Sequence, residues 1–416
     1  MDHSLMEQAR LHAASVPLDQ IDLSDPELFH SDTVWPYLAR LRREAPIHYR
    51  RDGLQGSFWS ITRFKDIMAV DTNHRVFSSE SSLGGITLTD APSQMRKPMF
   101  IAMDPPKHDE QRKTVSPIVA PGNLANLQGL IRERAIRIIE SLPVGETFDW
   151  VDKVSIELTT QMLATLFDFP FDDRKLLTHW SDVAVTPPLD PKDAAGWERR
   201  EQELMKCLQY FTRLWNERVN APPGNDLISM LAHSPATRTM QPHEFLGNLI
   251  LLIVGGNDTT RNSITGGMLF MNQNPAEYQK LRDDPKLIPG AVSEIIRYQT
   301  PLAHMRRTAV EDIEMHGQTI RKGDKVVMWY ISGNRDETAI DNPDAFIIDR
   351  PRVRQHLSFG FGIHRCVGNR LAELQLSILW EELLKRHPVV EVVGEPERTR
   401  SCFIHGYTSL PVRIPA

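Results

Sequence analysis

Apolar residues recur at three- and four-residue spacing through most of the chain, the pattern of amphipathic helices. The spacing predicts helices over Leu124–Leu142, Val154–Phe167 and Arg199–Val219, the last with Leu204, Leu208, Phe211 and Leu214 on one stripe. Pro242–Asn274 has no internal proline, and at 1.5 Å per residue it predicts one helix of about 45–50 Å, long enough to cross the molecule. A shorter helix is expected over Pro289–Tyr298. Period-two alternation is confined to Ile47–Arg50, Phe58–Thr62 and Lys325–Met328. Asp312–Val327, with turns at His316-Gly317 and Lys322-Gly323, reads as a small antiparallel sheet. The expected fold is mainly α, of α+β class, with one contiguous core and a single domain over residues 1–416.

Composition narrows the class. The 416 residues carry 48 Lys and Arg against 54 Asp and Glu, a net charge of −6, which excludes a globally basic nucleic-acid binder. Hydrophobic residues make up 41% and charged ones 25%, which excludes a disordered chain. The 29 prolines are scattered, as expected for irregular connections between helices. Three widely spaced cysteines, Cys207, Cys366 and Cys402, cannot build a disulfide scaffold, so a reducing compartment is expected. The N-terminus lacks the apolar core of a secretory signal. The greasiest run, Phe245–Val254, is too short to span a bilayer and is broken by Gly247 and Asn248. A cytoplasmic protein without an integral membrane segment is expected.

The chemistry concentrates in Phe359-Gly360-Phe361-Gly362-Ile363-His364-Arg365-Cys366-Val367-Gly368. Gly360, Gly362 and Gly368 permit a tight loop with close backbone approach. The residues after it carry two apolar stripes (Leu371, Leu374, Ile378 and Leu376, Leu379, Leu383), the mark of a helix buried on more than one side. Cys366 is therefore expected at a helix N-terminus, where free N–H groups favour a thiolate. A thiolate on a rigid loop can serve as axial ligand to haem iron.

This segment resembles the haem-ligand loop of the cytochrome P450 superfamily, and other motifs follow in that family's order over most of the chain. The resemblance implies haem b with the Cys366 thiolate on its iron, Phe359 and Gly255 beside the haem, and O2 as co-substrate. It also implies that His108, Arg112, Arg307 and His364 hold the haem propionates, a role that suits cationic, hydrogen-bonding side chains. Glu294 and Arg297, three apart on a helix, would form a folding lock completed by Arg350. In the long helix, Gly255-Gly256-Asn257-Asp258-Thr259-Thr260 breaks an apolar face. There a threonine hydroxyl can take the carbonyl four residues back and leave a groove. The resemblance makes Asp258 a proton relay and Thr259 the donor to bound dioxygen, while Gly255 leaves room above the haem.

No dinucleotide-binding Gly-x-Gly-x-x-Gly follows a strand, so electrons are expected from a separate ferredoxin and its ferredoxin reductase. Lys107, Lys113, Arg365 and Arg370 could attract that acidic partner. Phe100–His108, Gly255–Asn262 and His304–Thr308 resemble the soluble bacterial branch that hydroxylates alkanes and fatty acids at the terminal carbon. Ser81–Met99, with Leu83, Ile86 and Leu88 beside Gly84-Gly85, reads as an apolar lid with a hinge. Leu251, Val254, Leu302, Met305 and Phe403 complete a candidate substrate tunnel. The alternatives are a monooxygenase of cyclic, terpenoid or aromatic compounds, a peroxide-driven haem-thiolate enzyme, and a non-enzymatic haem sensor. The intact acid–alcohol pair argues against peroxide chemistry, which needs no proton relay, and a sensor needs neither relay nor apolar pocket.

Overall fold

The computed structural model describes residues 3–416. Its axis is the helix Pro242–Gln273, whose 32 residues give a length of about 48 Å. Pro242 at its first turn has no N–H to leave unpaired, and at Asn274 the backbone leaves the helical region before Pro275 opens the next helix. Helices Glu157–Phe167, Lys175–Val185, Ala194–Val219, Ile288–Gln299 and Asn369–Arg386 pack around it. The helix predicted from Val154 begins as a π-helical turn, Val151–Ile156, and becomes α-helical only at Glu157.

The single expected core divides into three clusters. The largest belongs to these helices, and the other two lie on opposite faces of one sheet strand. In Lys325–Met328, Val327 faces one small cluster, with Trp329, Leu38 and Phe58, while Val326 and Met328 face the other, with Ile61 and Phe77. Successive strand residues point to opposite faces, so one strand serves two cores.

That strand also corrects the small sheet expected over Asp312–Val327. Ile313–Met315 and Gln318–Ile320 pair only with each other, around His316 and Gly317 at φ 50° and 74°. Lys325–Met328 instead enters a five-stranded sheet ordered Ile47–Gly53, Gly56–Ile61, Lys325–Met328, Met305–Ala309, Phe77–Ser78. It lies parallel to Gly56–Ile61 and antiparallel to Met305–Ala309. Its last three residues are fully buried and apolar, which suits an interior strand. No helix among the described residues is long and apolar enough to cross a membrane.

Candidate functional site

The glycine loop folds back on itself before the C-terminal helix. Gly360 and Gly362 have φ of 63° and 65°, and a Cβ on Gly362 would lie 2.5 Å from the Asp71 carbonyl. The Cys366 N–H donates to the Phe359 carbonyl at 2.8 Å, closing the loop. The helix itself starts at Asn369, three residues later than expected, and the N–H groups of Gly368 and Asn369 reach back to the Cys366 sulfur. Burial pushes the thiol up, and those N–H groups, with the Arg112 and Arg365 guanidiniums, pull it down. Burial wins in the protein alone; coordination to a metal would remove the proton outright. Cys366 is exposed, and the space it meets is a cavity of about 430 Å³. Cys207 is buried and its thiol is raised by desolvation; Cys402 is buried and pushed up to about 12.

The long helix lines the same cavity. Thr259 Oγ1 donates to the Gly255 carbonyl at 3.0 Å, the back-bond that the sequence suggests. A Cβ on Gly255 would meet nothing within 4 Å, whereas one on Gly256 would sit 2.6 Å from Leu163 Cδ2. The two glycines therefore differ: Gly255 borders open cavity, and Gly256 admits a neighbouring helix.

Asp258 does not line this cavity. Adjacent helical residues lie about 100° apart, so when Thr259 faces the cavity Asp258 faces the helix Lys175–Val185. It is fully buried, accepting from Ser181 Oγ and from Arg261, and Arg261 continues to Asp182 at 3.0 Å. Asp182 is half exposed. Burial pushes the Asp258 carboxyl up, opposed by the Arg261 charge.

The basic residues come together from distant segments. The rings of His108 and His364 meet edge to face at 4.5 Å. His364 Nε2 contacts Ser79 Oγ at 2.8 Å and His108 Nδ1 contacts Asp109 at 2.8 Å, which leaves His364 Nδ1 and His108 Nε2 buried and unpartnered. Burial pushes His364 down to about 2. Among the described residues, the Arg112 side chain donates to the Arg365 carbonyl. Arg307 pairs with Asp71 at 2.8 Å, and Asp71 also accepts from Tyr330 Oη and Phe361 N–H. Asp71 has no motif around it and was not visible in the sequence.

These residues fit a haem. When His364 Nε2 accepts from Ser79, its orphaned Nδ1–H joins Arg112 and Arg307 as a donor set for carboxylates, and His108 Nε2 joins them once that ring is protonated. Gly368 and Gly255 both border the cavity with nothing within 4 Å of an added Cβ, so a flat group would meet no side chain there.

Behind the loop, Arg297 forks onto Glu294 at 2.7 and 2.8 Å, with neither side chain exposed. Arg350 reaches the same carboxylate at 3.3 Å. Arg297 also donates to the Asn334 carbonyl, and Asn334 holds Leu357 N–H and Ser358 Oγ directly before Phe359. The lock thus connects to the cysteine loop through Asn334, a residue the sequence did not mark. In Ser81–Met99, Gly84 and Gly85 take φ of 116° and 75°. The Arg306 side chain crosses Gly84 and donates to the Leu83 carbonyl and to Asp90, so the segment is bolted at its expected hinge. Leu83 faces outward and is exposed.

Cys366, Phe359, His364, Arg112, Arg307, Gly255 and Thr259 all border the one cavity. So do Ile86, Leu88, Leu251, Val254, Leu302, Met305 and Phe403. His108 stands one ring behind, and Glu294, Arg297 and Arg350 lie outside.

A cysteine loop, a facing helix with a hydroxyl groove, and a basic cluster at the cavity edge are the layout of a haem-thiolate enzyme. The family model described as Cytochrome P450 matches residues 120–404. Linalool 8-monooxygenase of Pseudomonas putida is 37% identical over 404 residues, covering 95% of this chain and 99% of that one. A methyl-branched lipid omega-hydroxylase of Mycobacterium bovis is 32% identical over 414 residues, 95% of each chain. The solved cytochrome P450-153 from Novosphingobium aromaticivorans is 48% identical, with a TM-score of 0.90 over 94% of this chain and 98% of that one. The chain belongs to the cytochrome P450 family. It is a monooxygenase of the bacterial type, working with haem, a cysteine thiolate ligand and O2.

Proposed function

We propose that this P450 hydroxylates the terminal methyl of medium-chain alkanes or fatty acids, with Cys366 as the axial thiolate. The observation that carries the reading is the apolar wall of Ile86, Leu88, Leu251, Val254, Leu302, Met305 and Phe403, gathered in the cavity that Cys366 and Thr259 share. When bound, the haem supplies activation of O2 for insertion of one oxygen atom into a C–H bond. His108, Arg112, Arg307 and His364 hold its propionates. Thr259 Oγ1, borrowed from the Gly255 carbonyl, donates a hydrogen bond at the distal side. Arg261, itself always protonated, holds Asp258 and ties it to the half-exposed Asp182; Asp258 must leave Arg261 to take up and deliver a proton.

Terminal attack must be enforced by shape, because primary C–H bonds are stronger than internal ones. Val254, Leu302 and Phe403 border the cavity and form the collar that, on this reading, admits one methyl and holds its neighbours back. Electrons come from a ferredoxin and its reductase to a single haem domain. Arg365 and Arg370 border a depression that also reaches Cys366 and suit an acidic partner, whereas Lys107 is already paired with Glu244.

A second reading, a branched or cyclic terpenoid, is favoured by the open space at Gly255 and by the similarity to linalool 8-monooxygenase. Gas chromatography of products from octane to dodecane, and from the matching fatty acids, tests the first reading. Primary alcohols support it. Secondary alcohols across the whole series overturn it and leave the monooxygenase assignment intact.

A further inference from the structure

Six cationic side chains border the cavity: Arg96, Lys97, Arg112, Arg200, Arg307 and Arg400. Four of them meet a carboxylate: Arg96 with Asp90, Lys97 with Glu201, Arg307 with Asp71 and Arg400 with Glu27. Arg112 lies with the histidines of the propionate cluster. Arg200 remains, with no ion pair among the described residues.

Arg200 stands at the start of the helix Ala194–Val219, beside Trp197, and the cavity there is also bordered by Pro187, Pro188 and Leu189. Its Nε donates to the Val183 carbonyl at 3.1 Å and its Nη2 to the Ala184 carbonyl at 2.6 Å. Both carbonyls belong to the last turn of Lys175–Val185, so the guanidinium meets the negative end of that helix. Nη1 takes no part in these bonds. Glu201 is the nearest source of negative field, but its carboxylate is committed to Lys97 Nζ at 2.5 Å. A half-buried guanidinium at the cavity edge that meets only partial charges is a ready partner for an anion entering the cavity. An anion that reaches Arg200 while an apolar tail fills the cavity is a fatty carboxylate.

We propose that Arg200 receives the carboxylate of an n-alkanoate, making fatty acids the preferred substrates over alkanes. This rests on the linear-chain reading above and selects within it. The guanidinium charge, presented through the free Nη1, anchors the head, and the distance from the head to the reacting carbon then selects chain length.

The test is a titration of the haem-loaded protein with dodecanoate, methyl dodecanoate and dodecane, followed by the haem spectrum and by calorimetry. Arg200→Gln is expected to weaken dodecanoate about tenfold or more, the loss of a charge-assisted contact, and to leave the ester and the alkane within about twofold. Arg200→Lys, which keeps the charge, is expected to hold most of the dodecanoate affinity. Added salt should weaken only the acid. Equal weakening of all three ligands would assign Arg200 to capping Lys175–Val185 and overturn the proposal, as would unchanged dodecanoate binding; either result leaves the linear-chain reading standing. If the unaltered protein binds none of the three, that reading fails, and Arg200's role with it.

Discussion

Glu294→Gln removes one charge and almost no volume from the centre of the protein. The carboxylate accepts from Arg297 at 2.7 and 2.8 Å, from Arg350 at 3.3 Å and from the Ile347 N–H at 2.9 Å. Neither Glu294 nor Arg297 is exposed, and Arg350 is 8% exposed. In the variant both guanidiniums face a neutral amide whose NH2 group is itself a donor. Their remaining partners are backbone carbonyls, among them those of Pro343, Asn342 and Ala345. Removing one member of a buried ion pair costs about 3–5 kcal/mol, a large share of the roughly 5–15 kcal/mol that holds a folded domain together. Urea unfolding of the haem-loaded protein measures this, with haem absorbance and far-UV dichroism read on one sample. The midpoints read by haem absorbance and by dichroism should both fall. Haem should leave before the helices melt, because Asn334 ties the lock to Leu357 and Ser358 at the base of the cysteine loop. A loss below about 1 kcal/mol, the scale of an exposed pair, would refute this account of the lock.

The two helix glycines should separate cleanly. Gly256→Ala drives a methyl onto Leu163 and should destabilise by about 1–3 kcal/mol, while Gly255→Ala should fold normally and alter substrate binding; equal stabilities would contradict the packing described here. Thr259→Ala should retain haem yet divert reducing equivalents to hydrogen peroxide, measured against product formed; full coupling would remove the hydroxyl from proton delivery. Burial pushes His304 down to about 4 and His356 down to about 3, so both stay neutral in the folded protein while the unfolded chain protonates near its ordinary value. Their contribution is complete above about pH 6.5 and falls below it, by about 1.4 kcal/mol per pH unit for each. Urea midpoints at pH 7, 6 and 5 read that slope, and a flat profile would contradict it.

The helices, the cysteine loop and the Thr259 back-bond were legible because each is a local pattern. The glycines were not, since a glycine in a helix looks the same whatever it faces. Gly247 and Asn248, which only interrupted an apolar run, mark where the 81–99 segment crosses the long helix. A Cβ on Gly247 would collide with the Pro98 carbonyl, and Asn248 accepts from the Phe100 N–H at 3.0 Å. Asp71 was invisible because its partners Arg307, Tyr330 and Phe361 lie more than two hundred residues away. That Asp258 faces Ser181 and Arg261 while Thr259 borders the cavity was not legible, because sequence adjacency hides the turn of about 100° between neighbouring helical residues. The sheet over Asp312–Val327 failed for a related reason: Lys325–Met328 takes its partners from Gly56–Ile61 and Met305–Ala309, neither of them its hairpin neighbour.

The assignment of Cys366 to the haem iron is the claim on which the rest depends. The ferrous carbon monoxide spectrum tests it directly, recorded for the unaltered protein, Cys366→His, Cys207→Ser and Cys402→Ser. The unaltered protein and both serine variants should show the band diagnostic of thiolate ligation, and Cys366→His should move it to a histidine-ligated position. A thiolate band that survives in Cys366→His, or disappears in either serine variant, would place the ligand elsewhere and contradict the account.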